Sequence, residues 1–190
     1  MKRSHLPLAI AGGFALVLVI AMAIFLSPSP PPIPSEAELA AVFEKGGQYE
    51  RGSGVTLDYG QALALYRKAA ESNYAPAEFA LGRMTELGRG VVRDEKAANE
   101  WYRRAADHGM AEAQVLYAGN LLTGTGTADG KPDKIEALKW LMLGADEMPD
   151  PLSKQVARTT RDKLAEELRR ADVVAAEGRV NEWRNAHAEP

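Results

Sequence analysis

The chain contains no cysteine. Disulfides, iron–sulfur clusters, thiol catalysis and a lipid-modified N-terminal cysteine are therefore excluded. Histidine is almost as scarce: His5, His108 and His187 lie far apart along the sequence and give a zinc site little to build on. Nor is there an excess of positive charge. The 23 Lys and Arg face 26 Asp and Glu, a formal net charge of −3, whereas a sequence-blind nucleic-acid binder needs a net basic surface to displace counterions. Metal, cofactor and nucleic acid are accordingly not expected as partners. What the 190 residues do contain is 46% hydrophobic and 26% charged side chains, the balance of a packed globular chain of about one domain.

One stretch lacks charge altogether. Leu6 to Leu26, LPLAIAGGFALVLVIAMAIFL, runs 21 residues without an ionisable side chain. As a helix it would be roughly 31 Å long at ~1.5 Å per residue, matching the ~30 Å hydrocarbon core of a bilayer. Lys2 and Arg3 precede it and no Lys or Arg follows until Lys45. The positive-inside rule then leaves residues 1–5 in the cytoplasm, 6–26 as a single-pass helix in the inner cell membrane, and the body in the periplasm. The rival is a cleaved signal peptide with Ala21-Met22-Ala23 as its site, although Ile24, Phe25 and Leu26 carry the apolar run past it. Both readings export the body. Residues 27–34, SPSPPPIP, are five-eighths proline. They read as a polyproline II spacer of about 25 Å, at ~3.1 Å per residue, in preference to a ligand for a proline-recognising domain. Residues 27–190 carry 21 basic and 26 acidic side chains, so the body is mildly acidic.

The body repeats itself every 36 residues. Gly52, Gly54, Val55, Asp58, Ala62, Tyr66, Ala69, Ala70 and Ala77 shift by 36 onto Gly88, Gly90, Val91, Asp94, Ala98, Tyr102, Ala105, Ala106 and Ala113. A second shift reaches Gly124 and Gly126. Beyond them, after three extra residues within Ala128–Pro132, Asp133, Ala137, Trp140 and Ala145 restore the register at 39. Each copy has the spacing of two helices. Ala77, Ala80, Leu81 and Met84 form one helical stripe, and Ala98, Trp101, Tyr102, Ala105 and Ala106 form another. Ser35-x-x-Glu38 is a capping box at the start of the first helix, Asp94 is placed as an N-cap, and His108-Gly109 as a helix end. Gly46, Gly82 and Ala118 occupy one equivalent position. Glycine inside a helix costs roughly 1 kcal/mol relative to alanine, so close helix packing must offset it. Trp101 and Trp140 are expected to supply core bulk. A lone hairpin cannot bury its apolar face, so the units must stack.

These residues resemble the Sel1-like repeat, a relative of the tetratricopeptide repeat. Leu81-Gly82, Gly88-x-Gly90-Val91, Trp101-Tyr102-Arg103-Arg104-Ala105-Ala106 and Gly109-x-x-x-Ala113 carry the motif in the second copy. The first copy has Leu65 in place of the tryptophan; the third has Thr127 in place of valine and Gly144 in place of the first alanine. The resemblance covers roughly residues 37–150. It implies an all-α solenoid of about three repeats (35–74, 75–110, 111–150) and a protein-binding role, as in adaptor and scaffold proteins of the bacterial envelope.

Residues 151–190 follow another pattern. Leu152, Val156, Thr160, Leu164 and Leu168 form one stripe; Val173, Ala176, Val180 and Trp183 form a second, with Arg169-Arg170 between. Two capping helices over the last repeat fit better than a dimerising coiled coil, which needs sustained heptads.

Catalytic patterns are missing. The G-x-G loops follow helices and lack a third glycine, unlike phosphate-binding loops. Some disulfide-rich Sel1-like proteins are linked to β-lactam hydrolysis, but no S-x-x-K or G-x-S-x-G occurs here. His108 at a helix end is expected to meet exposed carbonyls. The chain reads as a non-enzyme, a membrane-anchored adaptor that holds a protein or peptide along the concave face of its repeats. The alternative is an envelope hydrolase or an accessory factor acting on cell-wall material. On the concave face the first helices present Phe43, Gly47 and Glu50, then Phe79, Arg83 and Glu86, then Val115, Gly119 and Leu122. Of these, Phe43, Glu50, Phe79, Arg83, Glu86, Val115 and Leu122 are the candidate partner-binding residues, with Phe79 the expected anchor.

Overall fold

The first helix begins where its sequence says it should. Ser35 Oγ accepts the Glu38 N–H, and the Glu38 carboxylate accepts the Ser35 N–H at 2.8 Å, a complete capping box. The computed structural model describes residues 33–125, 127 and 129–188. Among them are eight helices and no strand: α1 (Glu36–Arg51), α2 (Tyr59–Ala70), α3 (Ala75–Leu87), α4 (Glu95–Asp107), α5 (Ala111–Thr123), α6 (Lys134–Gly144), α7 (Pro151–Glu167) and α8 (Arg170–Ala186). The apolar run 6–26 and the proline segment up to residue 32 lie outside the described residues. No helix among the described residues is long and apolar enough to cross a membrane.

The period of 36 becomes a hairpin repeated three times. Helices pair within each unit, α1 with α2, α3 with α4 and α5 with α6, and each second helix packs on the first helix of the next unit. Asp58, Asp94 and Asp133 sit at the same point in each hairpin and each accepts a backbone N–H three residues on. Gly90 shows what the G-x-G loop is for. Its φ is +73°, and an added Cβ would stand 2.8 Å from Tyr59 Cβ. The loop of the second unit lies hard against α2 of the first, so the glycine serves stacking.

Inside each of the first two hairpins a small residue faces a large ring. A Cβ on Gly46 would meet the Tyr66 ring at 2.7 Å, and one on Gly82 the Tyr102 ring at 2.5 Å. Tyr66 and Tyr102 are almost wholly buried. Burial, followed by a hydrogen bond to a glutamate, raises the pKa of both phenols above the ordinary tyrosine range. Trp101 differs from its sequence expectation. It is half-buried at the edge of the core cluster that contains Tyr66 and Leu81, and the Arg104 guanidinium covers its ring at 4.7 Å from the centroid. Helical rotation decides this: Tyr102, the next residue, takes the core position, and adjacent residues in a helix do not share a face. Trp140 does enter the core, with 1% of its surface exposed, edge-on to Tyr117 and Trp183.

The tail forms two helices, both packed on α6. Val173, Ala176 and Val180 of α8 are buried there, and Trp183 packs against the same cluster. The expected α7 stripe holds only in part. Leu164 is buried, whereas Leu152 is 73% and Val156 58% exposed. Ala157, not Val156, meets the core, so the buried face of α7 is rotated by one residue in its first turns.

Candidate partner-binding cleft

The first helices α1, α3 and α5 present one common face. In the first two units it carries an aromatic residue, then, two turns on, a glutamate. Phe43 packs on Tyr66 with ring centroids 5.3 Å apart, and Phe79 packs on Tyr102 at 5.5 Å. Glu50 accepts the Tyr66 hydroxyl at 2.9 Å, and Glu86 accepts the Tyr102 hydroxyl at 2.8 Å. Glu50 also pairs with Arg89 of the next unit at 3.0 Å. Both glutamates proposed from sequence as partner contacts are thus engaged within the chain. Their bonds satisfy phenols that would otherwise be buried unpaired.

The third unit departs from this rule at both ends of the bond. Leu122 stands where Glu50 and Glu86 stand, and Leu141 where Tyr66 and Tyr102 stand, allowing for the three extra residues. The polar pair has become an apolar pair. Val115 replaces the phenylalanine. Next to these residues α7 leaves a gap against α5, a cleft of about 540 Å³. Phe79, Val115, Leu122 and Leu141 line one side and Leu152 and Val156 the other. The structure therefore brings Phe79, Val115 and Leu122 into a single cavity. A smaller hollow of about 170 Å³ takes Phe43, Glu50, Arg51, Phe79 and Arg83. Phe79 borders both, so the two hollows adjoin, and together they make one track along the first helices. Glu86 borders neither.

Gly119 lies on the wall of the large cleft. Gly46, Gly82 and Gly144 each face an atom that a Cβ would strike, but a Cβ on Gly119 would have nothing within 4 Å. No internal packing requires this glycine, in the interior of α5, where it costs roughly 1 kcal/mol of helix stability relative to alanine. Gly119 lies on the concave face as its spacing predicts, whereas Leu152 and Val156, whose spacing predicts core packing, line the cleft. The signal for all three was available only as a mismatch: a helical glycine without a facing ring, and an apolar stripe broader than one core face.

The most buried charge among the described residues lies on α3. Glu78 on α3 is fully enclosed. His108 Nδ1 lies 2.6 Å from Glu78 Oε2, and Arg104 Nη2 lies 2.8 Å from Oε1. The arginine contact is ionic without hydrogen-bond alignment, which leaves Oε1 without a bonded proton. Arg104 Nη2 instead donates to the Ala70 carbonyl at 3.3 Å. His108 was expected to meet helix-end carbonyls; a buried carboxylate on the neighbouring helix is the stronger acceptor and takes it. This cluster joins α3, α4 and the end of α2; Arg104 lines a separate hollow of about 320 Å³ with Arg67, Glu71 and Trp101, and none of Glu78, Arg104 and His108 borders the α5–α7 cleft. No group of His, Asp or Glu that could hold a metal ion occurs among the described residues.

Comparison with known proteins agrees with the hairpin repeat. A family model described as Sel1 repeat matches residues 36–74, 75–110 and 111–147. The crystal structure of a Sel1 repeat protein from Oxalobacter formigenes is similar at 30% identity and a TM-score of 0.56, covering 64% of this chain and 89% of that one. The crystal structure of c5321, a protective antigen of uropathogenic Escherichia coli with an SLR fold, is similar in fold at 22% identity and a TM-score of 0.54; the match covers 80% of this chain and 39% of that one. No curated protein matches the chain.

Proposed function

The chain belongs to the Sel1 repeat family, and from that premise we propose that it is a membrane-anchored adaptor of the bacterial envelope, holding a protein partner on the face formed by α1, α3 and α5. Sel1 repeats generally mediate protein–protein interaction. The observation that carries the reading to a particular surface is the convergence of Phe79, Val115 and Leu122 in one apolar cleft of about 540 Å³. Exposed apolar surface of that kind, rimmed by polar groups, marks interaction sites. The envelope location rests on the sequence: Lys2 and Arg3 ahead of a 21-residue run without charge. The adaptor role needs no catalytic group, and the titratable cluster that is best organised, Glu78 with His108 and Arg104, is closed off from the cleft.

Crosslinking in native membranes followed by partner identification tests this. Phe79→Ala should lose the crosslinked partner while the full chain keeps its circular dichroism melt within a few degrees. Capture that survives Phe79→Ala with an intact fold would place binding on another surface. Turnover of a cell-wall substrate by the purified chain would favour the hydrolase reading instead.

A further inference from the structure

We propose that the α5–α7 cleft receives an amphipathic helix of the partner, with acidic residues at the end of that helix lying over Arg51 and Arg83. This deepens the adaptor reading and rests on it. Three observations carry it.

The first is Gly119. It is exposed on the cleft wall, and a Cβ there would meet nothing within 4 Å. Gly178 in α8 also has open space at its Cβ position, but Gly119 lines the cleft, where its missing side chain leaves room for a partner to come close.

The second is the chemistry of the walls. Two helices bound the cleft, with Val115, Gly119 and Leu122 at helical spacing on one and Leu152 and Val156 on the other. Thr160 Oγ1 at the edge already donates to the Val156 carbonyl. Glu112 and Ser153 are the other polar side chains of the lining; the rest is apolar, so the buried side of an extended peptide would leave most of its N–H and C=O groups facing leucine and valine without partners. A helix satisfies its own backbone and offers side-chain ridges to the groove between two helices. The cleft volume of about 540 Å³ lies within the range of sites that enclose several apolar groups.

The third is the charge left over. In the adjoining hollow Glu50 is committed to Arg89 and to the Tyr66 hydroxyl. Arg83 makes no ion pair among the described residues, and the pair of Arg51 is a long one, 3.9 Å to an exposed Glu44. The uncommitted charge at that end of the track is positive, whereas in the cleft itself Glu112, which makes no ion pair among the described residues, leaves a negative one. An apolar helix with acids at one end is complementary to the track; one with lysines there is not.

The test uses the full chain in lipid nanodiscs and two labelled synthetic helical peptides. Each carries leucines at i, i+3, i+4 and i+7; one has two glutamates a turn beyond and the other two lysines. Fluorescence anisotropy should show the glutamate peptide bound at least about tenfold more tightly than the lysine peptide. Arg83→Glu should reverse that preference. Gly119→Leu should weaken both peptides about tenfold or more while the thermal melt stays the same or rises, because the new side chain points into open space. Equal binding of the two peptides, binding of neither, or Gly119→Leu without effect overturns the proposal. So does self-association of the chain that Gly119→Leu abolishes, which would give the cleft to a second copy. If neither peptide binds while Phe79→Ala still abolishes partner capture, the helix proposal falls and the adaptor reading stands.

Discussion

Tyr102 and Trp101 are neighbours in sequence with opposite duties. Tyr102 is fully buried against Gly82 and holds Glu86 through its hydroxyl. Trp101 is half-covered and stacks under Arg104. Tyr102→Ala is therefore expected to cost about 3–5 kcal/mol, the range for emptying a buried aromatic site, and Trp101→Ala less than half of that. Urea unfolding of the two variants checks this, and equal costs would contradict the assigned helix rotation. The buried phenols also set an alkaline limit. Burial is the first cause that raises Tyr66, Tyr102 and Tyr117, and it takes Tyr117 to about 12. A phenol whose pKa is higher in the fold than in the unfolded chain gives its full stabilisation below roughly pH 10 and loses it as pH rises toward the folded value. In an alkaline titration the tyrosinate absorbance of these three should appear only as helical circular dichroism is lost. Titration of all six tyrosines as one class near pH 10, with helicity intact, would contradict it.

At the scale of helices, most boundaries could be read from residues whose role is local. Ser35 with Glu38, Asp58, Asp94 and Asp133 each cap a helix through a bond reaching three residues along the chain, so spacing alone reveals them. The hairpin was legible because helical stripes and a small residue, Gly46, Gly82 or Ala118, recur at equivalent positions; that Tyr66 and Tyr102, and not a tryptophan, face the glycines was not. The cleft was not legible, because it depends on where α7 comes to rest. Leu152 and Val156 have the spacing of core residues, and only the packing of α7 on α6, with Ala157 inward, turns them toward α5. The swap of Glu–Tyr for Leu122–Leu141 was hidden for another reason: the register places both leucines, but only the structure shows that the glutamate and tyrosine they replace are bonded to each other. The tail helices differ in what they cover. α8 buries Val173, Ala176 and Val180 and places Trp183 edge-on to Trp140. A chain ending at Glu167 should leave that face of α6 uncovered, lower the melting midpoint by many degrees and bind a hydrophobic dye. An unchanged melt would mean that α8 caps nothing.

At the scale of the whole molecule, two claims are joined: a face that binds, and an anchor that presents it outside the cytoplasm. The anchor predicts an N-in, C-out topology, from Lys2 and Arg3 before the uncharged run. A reporter active only in the periplasm, fused after Pro190, should be active; activity of a cytoplasm-only reporter at that place would contradict it. A mature chain that begins at Ile24 by mass spectrometry would replace the anchor with a signal peptide and leave the exported body in place. The central claim is the binding face itself, and amide hydrogen exchange reads it most directly. The full chain is compared free and crosslinked to the partner captured from native membranes. The expected result is slowed exchange in α3, α5 and the first turns of α7, around Phe79, Gly119 and Val156, with α2 and α4 unchanged. Protection confined to α2 and α4, with the cleft helices exchanging as in the free chain, would contradict it.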